Sequence, residues 1–157
     1  MTRTLIFSFI ILTLFSCNKN GESKKIEKDQ TFKPNENLEV KLDFFKTVPD
    51  TIDGCGEYFT IESEKDDSEN YIFLSNLSSF AIIKVNGENI FLEKDTIKSK
   101  DISKDEYLEI YRGNGYEATL KAKFIKMYDE GGFCKGTLKI NDSRKETEYK
   151  IKGSSGC

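Results

Sequence analysis

From residue 38 onward the chain sets short apolar bursts between turn residues, at the roughly 8–12-residue spacing of an all-β sandwich or barrel. Residues 38–45 (LEVKLDFF) place Leu38, Val40, Leu42 and Phe44 against Glu39, Lys41 and Asp43. That period of two predicts a strand with the apolar set inward. Val48-Pro49-Asp50 breaks the run, 58–61 resumes an extended one, and 62–70 (ESEKDDSEN) reads as an acidic loop. Strands follow at 71–77 and 80–85. Asn86-Gly87 then supplies adjacent positions that tolerate positive φ, the signal of a type I′ hairpin, and 90–93 returns beside its partner. Segments 106–111 and 116–128 flank the turn Arg112-Gly113-Asn114-Gly115, and Ala118, Leu120, Ala122 and Phe124 share one face of the second. After a turn at 129–132, Cys134, Gly136, Leu138 and Ile140 share a face; in 146–152, Thr147, Tyr149 and Ile151 do. Such alternation, with one face wet, belongs to antiparallel meanders. The expected fold is all-β: a single antiparallel β-meander domain over 38–157, of about eight strands, either a small barrel or a two-layer sheet.

The first residues follow a different pattern. Arg3 gives a short positive start, 5–14 is a nearly unbroken apolar run, and Phe15-Ser16 leads to Cys17. A charged start, a short apolar stretch and a small residue before the cut make a secretory signal peptide. The run is shorter than the about 20 apolar residues a spanning helix needs. Ending it on a cysteine resembles a bacterial lipoprotein signal: 1–16 is then the signal peptide and Cys17 the acylated first residue of the mature chain. The plainer alternative is a secretory signal cut after Ser16, with Cys17 an ordinary thiol. Several acyl chains hold a protein stably where one does not, so the resemblance implies permanent anchoring in the cell envelope, with the outer membrane favoured. Residues 17–37 carry mixed charges, Gly21, Pro34 and little besides Ile26 and Phe32 to bury. They read as the lipidated cysteine and a solvated tether.

Composition narrows the chemistry. Formal net charge is −3, from 24 basic and 27 acidic residues interspersed along the chain, which lacks the basic stripe of a nucleic-acid binder. There is no histidine, and with it go the commonest general base and the commonest metal ligand. Nothing calls for a cofactor.

Three cysteines remain after Cys17. Cys55 lies in a turn between Gly54 and Gly56, Cys157 follows Gly156, and Cys134 falls on the apolar phase of a strand, where a free thiol serves as a small buried hydrophobe. A staple of Cys55 to Cys157 is favoured, with Cys55 to Cys134 the alternative. The run 48–55 (VPDTIDGC), the pair Tyr58-Phe59 and the closing Gly153-Ser154-Ser155-Gly156-Cys157 resemble a group of Bacteroidetes lipoproteins that brings no assigned activity. Many of its members carry C-x-C before the aromatic pair and again at the end. Glu57 and Ser155 replace one cysteine of each motif here, which fits loss of one disulfide and retention of Cys55–Cys157.

Candidate chemistry is thin. Glu62, Glu64, Asp66, Asp67 and Glu69 crowd one loop, but without the spaced ligands and closing glutamate of a calcium loop, and a solvated turn explains them better. Gly113-Asn114-Gly115 precedes no helix, so it reads as a hairpin turn rather than a phosphate cradle. Cys55 as a nucleophile would want a histidine, and no two carboxylates single themselves out as a glycosidase pair. The expectation is a protein that is not an enzyme and has no metal site. It is an envelope-anchored lipoprotein, held to the membrane through its N-terminal lipid, acting as a non-catalytic binding module for a protein or glycan, with no nucleic-acid partner and no binding residues yet assignable. The alternative is a periplasmic inhibitor of a lysozyme-like hydrolase. Small stapled lipoprotein barrels include such inhibitors, and residues 81–92 (AIIKVNGENIFL) are faintly similar to a hairpin in them.

Overall fold

The computed structural model describes residues 39–66 and 68–157. The expected signal peptide, the lipidated Cys17 and its tether lie outside them.

The alternating segments form strands β1 (Gly56–Ile61), β2 (Tyr71–Ser75), β3 (Phe80–Val85), β4 (Glu88–Lys94), β5 (Lys100–Asp101), β6 (Glu106–Gly113), β7 (Tyr116–Tyr128), β8 (Gly131–Asn141) and β9 (Glu146–Gly156). Each pairs antiparallel with its neighbour in the order β4-β3-β2-β1-β9-β8-β7-β6-β5, and a further β4–β6 pairing closes the ring. The result is an up-and-down barrel of eight strands, with β5 as a short extra strand on β6. Closure decides between barrel and two-layer sheet, and it removes nearly every free edge. Two of the two-residue hairpins turn at Asn86-Gly87 and Asn114-Gly115, all four residues at positive φ, which matches the right-handed twist of the strands they join.

Side chains fill the interior, as a barrel of this strand number requires. Phe59, Phe73, Tyr107, Tyr111, Leu92, Leu120 and Leu138 meet across the axis, and Ala81, Ala118 and Ala122 make room for them. Phe73 and Tyr111 pack edge to face at 5.5 Å between ring centres, a favoured aromatic geometry.

The two ends of the barrel differ. The β1–β2, β3–β4, β6–β7 and β8–β9 connections share one end, and residues 39–45 cross it. Val40 N donates to Thr147 Oγ1 at 2.8 Å, Leu42 N donates to the Tyr149 hydroxyl at 3.1 Å, and that hydroxyl donates to Val40 O at 2.6 Å. Asp43 N then reaches Lys84 O and Phe45 N reaches Tyr71 O. This corrects the expected strand over 38–45: its described part is a plug bonded to several strands in turn, with one isolated bridge at Phe45. Val40 and Leu42 point into the core as the alternation implies, but the phase then breaks, leaving Phe44 37% exposed and Phe45 buried. Beyond the plug the chain runs outside the barrel, where Phe45, Val48 and Ile52 cover Leu74, Ile82, Tyr71 and Phe80. That strap explains why β2 and β3 are apolar on both faces.

Candidate functional site

The other end carries the chemistry. β1 begins there with Glu57 on the inward phase that continues through Phe59, and its side chain is fully buried. Ser75 Oγ and the Tyr107 hydroxyl donate to its two carboxyl oxygens, each at 2.7 Å. Across the mouth, Lys94 from β4 pairs with Glu109 from β6 and donates to Leu77 O at 2.9 Å, while the Tyr111 hydroxyl donates to Glu109 Oε2. Cys134 Sγ lies 3.9 Å from the Tyr107 hydroxyl.

Burial dominates the electrostatics of this mouth. It lifts the Glu57 carboxyl to about 7; the Glu109 charge adds to the rise, while the Ser75 and Tyr107 hydroxyls and the Lys94 charge oppose it. Burial, and after it the Glu57 charge, also pushes the Tyr107 and Tyr111 phenols far up. Cys134 rises to about 11, again chiefly through burial, which keeps it an inert thiol at neutral pH. A cleft of about 280 Å³ under the β4–β6 connection reaches Lys94, Tyr107 and Glu109, but Glu57 is not among its walls. The mouth therefore holds an acid–base group that no substrate can touch in this state.

On the outside of the same end lies a groove of about 520 Å³. Gly56, Gly156 and Gly131 stand side by side on β1, β9 and β8 and form its floor. Gly131 and Gly156 sit at φ 156° and 142°, and a Cβ on either would fall within 2.4 Å of neighbouring backbone oxygen. Only glycine fits both conditions. Tyr58, Tyr128 and Phe133 form the walls, with Ser154 and Glu130 as polar groups. The Cys55–Cys157 disulfide joins the two chain segments at the rim. Beside it, β7 runs past the end of β6: their ladder stops at Glu106 opposite Lys123, yet β7 stays paired to β8 as far as Tyr128. Ile125, Met127 and Tyr128 on this overhang are 57%, 55% and 59% exposed.

The residues singled out from sequence disperse. Cys55 and Cys157 pair as favoured, and Cys134 is free and buried. Lysines of the barrel wall clamp the acidic loop, Lys135 holding Glu62 and Lys152 holding Asp66, and within the loop Asn70 Nδ2 donates to Glu64. Among the described residues no His, Cys, Asp or Glu cluster could hold a metal. Gly113-Asn114-Gly115 is a hairpin turn whose Asn114 side chain donates to Phe91 O. Sequence reasoning missed the Glu57, Lys94, Glu109, Tyr107 and Tyr111 network. The signal was there: Glu57 precedes Phe59 in phase, Lys94 follows Leu92, and Glu109 sits between two inward tyrosines. Charged residues on a strand's apolar phase mark a buried polar network.

No family model, no curated protein and no solved structure matches this chain.

Proposed function

We propose that this protein is an envelope-anchored lipoprotein whose barrel is a non-catalytic binding module, with its ligand seated at the disulfide end. The groove of about 520 Å³ carries this reading. It is concave, floored by bare backbone and walled by aromatic rings, with few polar groups to orient an occupant, the usual make-up of a recognition site. The plug stands at the opposite end of the barrel, away from the groove. Absence of histidine and enclosure of Glu57 support binding over catalysis. The ligand is an envelope protein or glycan offering an apolar or flat face to Tyr58, Tyr128 and Phe133. The test immobilises the protein and passes envelope proteins and envelope glycans over it separately. Retention lost in Tyr128→Ser and Phe133→Ser, but kept in the far-end variant Ser143→Ala, is the expected result. Retention indifferent to the groove variants contradicts it.

The overhanging β7–β8 hairpin favours a second reading. An inhibitor of a lysozyme-like hydrolase must insert an ordered projection into a cleft, and this hairpin carries Asp129 and Glu130 at its turn. Titrating such hydrolases with the protein decides it: inhibition abolished by Glu130→Arg supports the reading, and full residual activity at saturation removes it.

A further inference from the structure

β4 and β6 close the barrel through only two residue pairs, Glu93 with Arg112 and Lys94 with Tyr111, where the adjoining β6–β7 ladder runs from Glu106 to Gly113. Side chains make up much of the closure. Lys94 holds Glu109, Arg112 holds Asp95, Asn114 Nδ2 donates to Phe91 O at 3.0 Å, and Ile110 N donates to Ser99 Oγ at 3.0 Å. Facing this seam across the interior is Glu57, whose oxygens are held, among the described residues, by two hydroxyls and by no cation. The groups turned toward it are Ser75 from β2, Lys94 from β4, Tyr107, Glu109 and Tyr111 from β6, Cys134 from β8 and Ser155 from β9. With Glu57 neutral, the mouth is balanced, one lysine against one glutamate. Ionising Glu57 leaves an uncompensated negative charge, which is costly away from water. The least-laddered wall is the one that can yield to hydrate it.

We propose that Glu57 and the β4–β6 seam form a pH-sensitive latch: a proton on the buried carboxyl keeps the polar mouth shut, and its loss favours a barrel locally parted where Lys94 and Tyr111 join β4 to β6. The opened state exposes Glu57, Tyr107 and Tyr111 to the cleft beside them. The elevated affinity of Glu57 for its proton, about 7 on the pKa scale, places the latch near neutrality. Proton linkage sets the sign: any opening that returns Glu57 to water gains population as pH rises from the ordinary glutamate range toward 7, and levels off above.

Amide hydrogen exchange of the full chain, measured by NMR at pH 5 and pH 8 and corrected for intrinsic rates, reads the latch directly. Asp95, whose amide donates to Ile110 O across the seam, and Ile110 itself report opening; Leu120 and Leu138 report the β7–β8 wall. The expected result is protection at Asp95 and Ile110 falling on the order of 100-fold toward pH 8, while staying well below that of Leu120 and Leu138. Glu57→Gln removes the pH dependence at the seam. Seam protection that ignores pH, or that equals the wall's at both pH values, overturns the proposal. A second measurement needs no variant: the Glu57 side-chain carboxyl carbon titrates near 7 if the latch exists, and a midpoint in the ordinary glutamate range overturns it.

Discussion

Among the described residues Glu57 has no partner of opposite charge in direct contact, and its burial therefore bears on stability. Its folded affinity for a proton is raised from 4.5 to about 7. The folded state therefore binds more protons than the unfolded one across that window, and stability falls as pH rises through it, by about 3 kcal/mol in all. The surface carboxylates of Glu62, Asp66, Asp95, Asp105 and Asp142, part-covered except Asp66, shift the other way, each lowered by a hydrogen bond from a lysine, serine or backbone donor and by nearby positive charge. Their contribution is lost on acidification below the ordinary carboxylate range. Stability should thus peak at about pH 5. Urea unfolding across a pH series checks this, and in Glu57→Gln the decline between pH 5 and pH 8 should vanish. Tyr149 is the second decisive residue. Its hydroxyl accepts from Leu42 N and donates to Val40 O, so Tyr149→Phe strands two backbone groups of the plug. A loss of about 1–3 kcal/mol in urea unfolding is expected, with faster proteolysis near residue 40.

At the scale of elements, the strands were the legible part. β7 was bounded from sequence as it stands, and the inward sets of β8 and β9 hold because one-sided burial makes a period of two unambiguous. The plug was not legible. Residues 38–45 carry a strand's alternation, yet their described part crosses a barrel end, its amides meeting β9, then β3, then β2, and no local pattern encodes that. The strap was hidden for a related reason: apolar outer positions on β2 and β3 show that something covers them, not what. The groove was hidden because its glycines read as turn punctuation and its aromatics as core. The disulfide fastens the strap's end to the end of β9 across 102 residues of sequence. Closing so long a loop limits the unfolded chain by about 4–5 kcal/mol in the chain-entropy account. Cys55→Ser should therefore lower stability by several kcal/mol in urea unfolding, while leaving the buried thiol of Cys134 unreactive in the folded protein. A variant as stable as the parent would show that strap and β9 need no staple.

At the scale of the described domain, the barrel is stopped at one end by its own chain and polar at the other. The disulfide end carries the groove, the overhanging hairpin and the buried Glu57. If Cys17 carries lipid, Cys17→Ser abolishes incorporation of labelled palmitate and releases the protein from membranes, whereas a variant that stays membrane-bound contradicts the anchor. Which end of the barrel meets a partner decides where the binding surface lies. Site-directed photo-crosslinking in intact cells answers that, with the probe placed at Tyr128 in the groove wall or at Ser143 in the β8–β9 turn. Discrete adducts from Tyr128, with none from Ser143, are the predicted result. Adducts from Ser143 alone would contradict it, because the plugged end would then be the one that binds.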